Sequence, residues 1–139
     1  MEQTLYDYLR GNWSVKRRIE DLLAKQDNWF TGEAQFVGTG VGLNYTEAGR
    51  LSVGDALIEA KQTYQWHCQA NGATVYFDPY REFHSFVIKG QSASAHHLCG
   101  DDQYDGRYHF PAADAWQLTW TVKGPRKNYI STTNYQRKL

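Results

Sequence analysis

Turn signals cut this 139-residue chain into short segments, and within almost every segment inward-type and outward-type residues alternate. Trp13, Val15, Arg17 and Ile19 alternate with Ser14, Lys16, Arg18 and Glu20. Gly32, Ala34 and Phe36 follow, and after Gly38, Gly40 and Gly42 come Leu43, Tyr45, Glu47, Gly49 and Leu51. A longer run over 56–68 puts Ile58, Ala60, Gln62, Tyr64 and Trp66 on one face. Asn71-Gly72, the strongest hairpin signal in the chain, leads into Val75-Tyr76-Phe77. Asp78-Pro79 turns into 83–88, Lys89-Gly90 turns into 92–99, and runs over 104–110, 116–122 and 126–137 complete the pattern. A period of two is the mark of a strand. About nine or ten such runs, at a spacing of roughly 8–12 residues, read as an antiparallel sandwich or barrel.

One helical segment is expected: Thr4 caps a turn in which Leu5, Tyr8 and Leu9 share a face, and Gly11 stops it. Short connections throughout predict simple up-and-down order. An open sheet of that length leaves two edges to hide, and closure removes both. The expectation is a single all-β domain over residues 1–139, an antiparallel up-and-down barrel of about nine or ten strands with a short N-terminal helix. An interior of that size is filled by side chains or holds one small ligand.

Composition says what lines it. Leu, Ile, Val and Phe make up only about a fifth of the chain, close to the composition of disordered segments. Disorder also needs high net charge and few rings, whereas here 15 Lys+Arg balance 15 Asp+Glu and the chain carries 10 Tyr, 5 Trp and 6 Phe. The core is therefore built from rings more than from aliphatic chains. A neutral balance gives no basic footprint for nucleic acid. The uncharged stretch 34–46 is polar and glycine-rich, so it does not read as a bilayer span. Met1-Glu2-Gln3 opens acidic, without the basic-then-apolar pattern of a leader. Cys68 and Cys99 are too few for a disulfide framework and fit a reducing compartment, so a cytoplasmic protein without membrane or nucleic-acid partners is expected, with a homodimer left open.

Gly11-Asn12-Trp13, opening the first strand after a helical turn, resembles the Gly-x-Trp signature of the calycins, the group of lipocalins and fatty-acid-binding proteins. That resemblance implies structural roles for Trp13, as a plug of one barrel end, and for Arg137, as the basic residue of the last strand that packs across it. The logic also holds on its own, because a guanidinium stacked on an indole seals an apolar end while staying solvated. A fuller resemblance spans nearly the whole chain: Trp13-x-x-x-Arg17-x-Ile19, Leu43-x-Tyr45-x-Glu47-x-Gly49, Phe83-His84-x-Phe86, His97-x-Cys99-x-x-Asp102-x-Tyr104-x-x-x-Tyr108-x-Phe110 and Gly124-Pro125-Arg126-Lys127-x-Tyr129. It is similar to an uncharacterised group of small bacterial and fungal proteins classed as a domain of unknown function. This resemblance implies a calycin-like barrel and no substrate.

Strand parity supplies the candidate site. If Trp13 faces inward, so does Arg17; the third strand then places Tyr45 and Glu47 on one face. A carboxylate among apolar neighbours needs a partner, and Arg17 is the obvious one, either as a structural pair that fixes register or as a ligand clamp. Lys127 shares parity with Tyr129, Ser131, Thr133, Tyr135 and Arg137, which makes it a second inward cation unless it is solvated at the rim. Two cations against one carboxylate would favour an acidic headgroup. Tyr45, Tyr64, Trp66, Tyr104, Tyr108, Trp116 and Trp120 sit at inward-compatible positions; most serve packing, and converging phenols would make the interior polar. His84 and His97 add polar anchors, with His96 facing away.

The expected ligand-binding residues are therefore Arg17, Tyr45, Glu47, Tyr64, His84, His97, Tyr104, Tyr108, Lys127 and Tyr129. The expected ligand is a small organic molecule that is acidic, amphipathic or aromatic. An enzyme using His, Glu and Tyr for acid–base work in the same cavity is the alternative, and a haem- or metal-binding barrel is a third reading. A fourth is an interaction module with a filled barrel. His84, His97 and Cys99 could ligate zinc, but they lack paired spacing, so no metal or cofactor is expected. A Cys99–His nucleophilic pair has no elbow or oxyanion loop beside it.

Overall fold

The computed structural model describes residues 3–139; the opening Met1-Glu2, read above for the lack of a leader, lies outside the described residues. Helix α1 (Leu5–Leu9) is followed by ten strands: β1 (Gly11–Asp21), β2 (Gln26–Gly38), β3 (Leu43–Val53), β4 (Ala56–Cys68), β5 (Gly72–Asp78), β6 (Arg81–Val87), β7 (Ser92–Cys99), β8 (Asp102–His109), β9 (Ala115–Lys123) and β10 (Asn128–Arg137). They form one antiparallel sheet in the order β6-β5-β4-β3-β2-β1-β10-β9-β8-β7. The up-and-down barrel expected from the turn signals is what forms. Each strand pairs with its chain neighbours, except that β6 and β7 are left as the two edges of the sheet, and β1 also pairs with β10 to join the two ends of the chain, from Trp13 opposite Arg137 to Asp21 opposite Tyr129.

Closure is incomplete at one seam. Between β6 and β7 the backbone makes only an isolated bridge at Lys89–Ser92. β7 buries only the small Ala93 and Ala95 at this level, and β8 offers Gly106. Rings from β6 lean across these small residues. Phe86 stacks on Tyr108 with centroids 4.1 Å apart, and Phe83 stacks on Trp120 at 5.1 Å. A Cβ at Gly106 would fall 2.6 Å from the Trp120 ring, so that glycine is what lets the indole lie flat on β8. Aromatic contacts here replace a strand ladder.

One end of the barrel is sealed. Thr4 caps α1, accepting from the Asp7 amide, and the helix buries Leu5 and Leu9 against the sheet. The fully buried Trp13 donates its indole N–H to the Leu9 carbonyl at 2.8 Å and meets Trp116 edge to face. Arg137 lies over the Trp13 ring, 4.2 Å from its centroid, and donates to the carbonyls of Tyr8 and Arg10. Among the described residues no helix is long and apolar enough to cross a membrane.

Candidate functional site

Away from the sealed end, the interior opens into a cavity of about 570 Å³, within the range of small-molecule sites. The reading of a solidly filled barrel therefore loses its basis. Strands β1, β3 and β10 build a polar wall. Arg17 and Glu47 form a bidentate pair, with both N–H···O distances at 2.8 Å, and Arg17 Nε–H donates to Thr133 Oγ1 at 2.7 Å. Tyr45 donates to Glu47 at 2.5 Å, so the Tyr135 hydroxyl, 2.8 Å from Tyr45, donates in turn to the Tyr45 oxygen.

Arg17 and Glu47 stand on β1 and β3, with β2 between them. On β2 Arg17 faces Phe30 and Glu47 faces Ala34, and the inner-face residue between them is Gly32, which leaves the Arg17 side chain a path across. A Cβ at Gly32 would fall 2.2 Å from the Ala48 carbonyl, so this close approach of β2 and β3 tolerates no side chain. Glu47 is almost fully buried, at 5% side-chain exposure, and Arg17 retains 21%. Burial opposes both charges. Bonding to Arg17 nevertheless holds the Glu47 carboxyl below its ordinary pKa, and bonding to Glu47 holds the Arg17 guanidinium above its own. The Arg17 guanidinium also sits 5.1 Å from the Phe30 ring centroid. Both groups are ionised at neutral pH, and their charges cancel.

The facing wall is aromatic. Phe77, Phe83 and Trp120 form a continuous stack, each successive pair 17° from parallel. Beneath it, His84 is buried at 3% exposure with Nε2 2.7 Å from the Tyr108 hydroxyl, and its Nδ1 finds no partner among the described residues. Burial, with a smaller contribution from His97, pushes the His84 pKa down to about 3, so the imidazole is neutral at physiological pH. Burial also pushes the Tyr45 and Tyr108 phenols well above their ordinary pKa, so both stay protonated hydrogen-bonding groups. Tyr64 sits between the two walls, its ring 5.9 Å from Tyr45 and 5.8 Å from Phe83.

Of the residues expected from sequence, Arg17, Tyr45, Glu47, Tyr64, His84, His97, Tyr104, Tyr108 and Tyr129 all line the cavity. His97 and Tyr104 stand at its mouth, with ring centroids 5.7 Å apart, and His96 faces outward against Asp105. Lys127 is the correction. Strand parity does not reach it, because β10 begins at Asn128 and Lys127 belongs to the turn closed by the Gly124 amide bonding to its carbonyl. Its ammonium donates to the Tyr104 hydroxyl at 3.0 Å and pairs with Asp102 at 3.3 Å, outside the cavity lining. Lys127 therefore adds no cation to the lining, which holds Arg17, paired with Glu47, and the exposed Lys61.

Sequence reasoning left out Ser131, Thr133 and Tyr135, which line the polar wall, and Phe77, Phe83 and Trp120, which form the aromatic one. Parity places the first three on the Arg137 face and Trp120 at an inward position, and nothing in their identity marks them as more than packing. Two of the acid–base candidates are already committed, while His97 also lines the cavity. Glu47 already accepts three hydrogen bonds, and His84 is too weak a base. Among the described residues no group of three His, Cys, Asp or Glu side chains could hold a metal ion.

Solved structures share this barrel. An S-type phycobiliprotein lyase from Guillardia theta superposes with a TM-score of 0.68 at 9% identity, over 99% of this chain and 94% of that one. A DUF3598 protein of unknown function from Nostoc punctiforme gives 0.63 at 11% identity, over 99% of this chain and 51% of that one. A designed barrel bound to DFHBI gives 0.50 at 13% identity, over 94% of each chain. At such identities the likeness concerns the fold. No curated protein matches by sequence. A family model does: it covers residues 9–137, nearly the whole barrel from the end of α1 to the closing Arg137, and the chain belongs to that family of unknown function, DUF6314.

Proposed function

We propose that the protein binds one small amphipathic aromatic molecule in the barrel lumen. The observation that carries this reading is the cavity of about 570 Å³ with two unlike walls, a charge-cancelled polar one at Arg17–Glu47 and a stacked aromatic one at Phe83–Trp120. A flat ligand buries its faces against rings, a gain that scales with the apolar area removed from water, and directs its polar edge at the hydrogen-bonding groups of the opposite wall. The neighbouring designed barrel holds DFHBI and another neighbour is a phycobiliprotein lyase; both share only the fold with this chain, so they lend the reading an analogy and no site. The charge-cancelled polar wall favours binding over acid–base turnover, because Glu47, the carboxylate of the lining among the described residues, is already paired with Arg17.

The test is a fluorescence titration with prodan, an uncharged naphthyl ketone whose emission reports its surroundings. Ala60, half-buried on the cavity lining and away from the ion pair, is the place to fill the lumen. Saturable binding to the wild-type protein, weakened at least tenfold in Ala60→Trp at an unchanged melting midpoint, is the expected result. Equal binding to both proteins would place the dye on the outer surface and end this reading.

A further inference from the structure

Resting on that reading, we infer that the end of the ligand buried against Arg17 is an uncharged hydrogen-bond acceptor, a carbonyl oxygen, and not a carboxylate. Two features of the polar wall lead there. The first is its donor inventory. A guanidinium has five N–H groups, and Arg17 commits three of them to Glu47 and Thr133. Each terminal nitrogen keeps one more N–H on a side chain that is 21% exposed. The Tyr135 oxygen, beside the guanidinium, can serve one of these. The Tyr64 and Ser131 hydroxyls line the same cavity and bond to no other described residue. The one carboxylate on this wall has three donors already. Hydroxyls can turn either way, but the remaining Arg17 N–H groups can only donate, so the group that completes the wall beside them is an acceptor.

The second feature is charge. Arg17 is matched one to one by Glu47, and the next cation named by the sequence, Lys127, is paired with Asp102 outside the lining. A ligand carboxylate brought to Arg17 would leave a net negative charge beside buried Glu47, at a site already stripped of much of its water. A carbonyl accepts the same N–H groups without that penalty. Any charged group on the ligand then belongs at the mouth, near Lys61, where water reaches it.

Three matched probes decide it: prodan, its naphthoate counterpart, and the analogue in which the carbonyl is replaced by methylene. For the wild-type protein at neutral pH, prodan should bind at least tenfold more tightly than the naphthoate and at least fivefold more tightly than the methylene analogue. Glu47→Gln leaves Arg17 as an unmatched cation, so the naphthoate should gain at least tenfold relative to prodan, a change of about 1.4 kcal/mol. A wild-type preference for the naphthoate, or an unchanged ratio in Glu47→Gln, overturns the inference while leaving lumen binding intact. Equal binding of prodan and the methylene analogue overturns it as well. Failure of all three probes to bind refutes lumen binding, and this inference falls with it.

Discussion

Replacing Arg17 by Met keeps most of the side-chain volume and removes the cation paired with Glu47. Glu47 is 5% exposed, and in the variant it retains one donor, Tyr45, in place of three. Stranding one member of a buried ion pair costs about 3–5 kcal/mol. For a domain of this length that corresponds to a fall in melting midpoint of about 10–17 °C. The double variant Arg17→Met/Glu47→Leu removes both charges, so it should recover most of the loss, because apolar replacement of a whole buried pair is often neutral. Acid should also narrow the gap. Wild-type Glu47 has its pKa below that of the unfolded chain, so its stabilising effect is full above the unfolded value, about 4.3, and fades as pH falls through the folded one. In Arg17→Met the carboxyl pKa rises instead, the group protonates earlier, and the penalty relaxes. Urea denaturation of the wild type, Arg17→Met, Glu47→Leu and the double variant at pH 7 and pH 4, followed by tryptophan fluorescence, measures this. A coupling energy below about 0.5 kcal/mol, as for an exposed pair, would refute the placement of the pair in a desolvated wall.

Two further predictions concern other parts of the molecule. Arg137→Ala removes the cation over Trp13 and two bonds to chain carbonyls at the sealed end; it should cost about 1–3 kcal/mol in denaturant unfolding, with Arg137→Lys losing less. His84 is held near pKa 3 against an unfolded value near 6.5, so the unfolded chain takes up a proton that the fold refuses as pH falls through that window. Stability should drop there with a slope contribution of about 1.4 kcal/mol per pH unit, and His84→Gln should flatten it; proton NMR should show the His84 ring constant from pH 5 to 8.

Much of this architecture is legible in the sequence because strand geometry is periodic. Trp13, Val15 and Arg17 share an inward face through the β1 pleat, and Glu47 follows Tyr45 by the same rule, so their meeting needed only a barrel. The Trp13–Arg137 register across β1 and β10 is fixed by the same closure. Parity fails where the ladder ends, which is why Lys127 turned out to sit in a turn at the mouth. It also carries no information on volume. That Gly32 opens a path for Arg17, or that Ala93, Ala95 and Gly106 let rings from β6 cross a seam, depends on the absence of side chains. Small residues read as neutral in an alternating pattern. The aromatic wall was visible as composition and became a wall only through the missing β6–β7 ladder.

The position of a bound ligand tests the lumen site most directly. A crystal structure of the protein with prodan should show the naphthyl ring inside the barrel between Phe83–Trp120 and Arg17–Glu47, with the carbonyl oxygen within hydrogen-bond reach of the guanidinium. A lumen closed by collapsed rings, with prodan bound only to the outer surface, would contradict it.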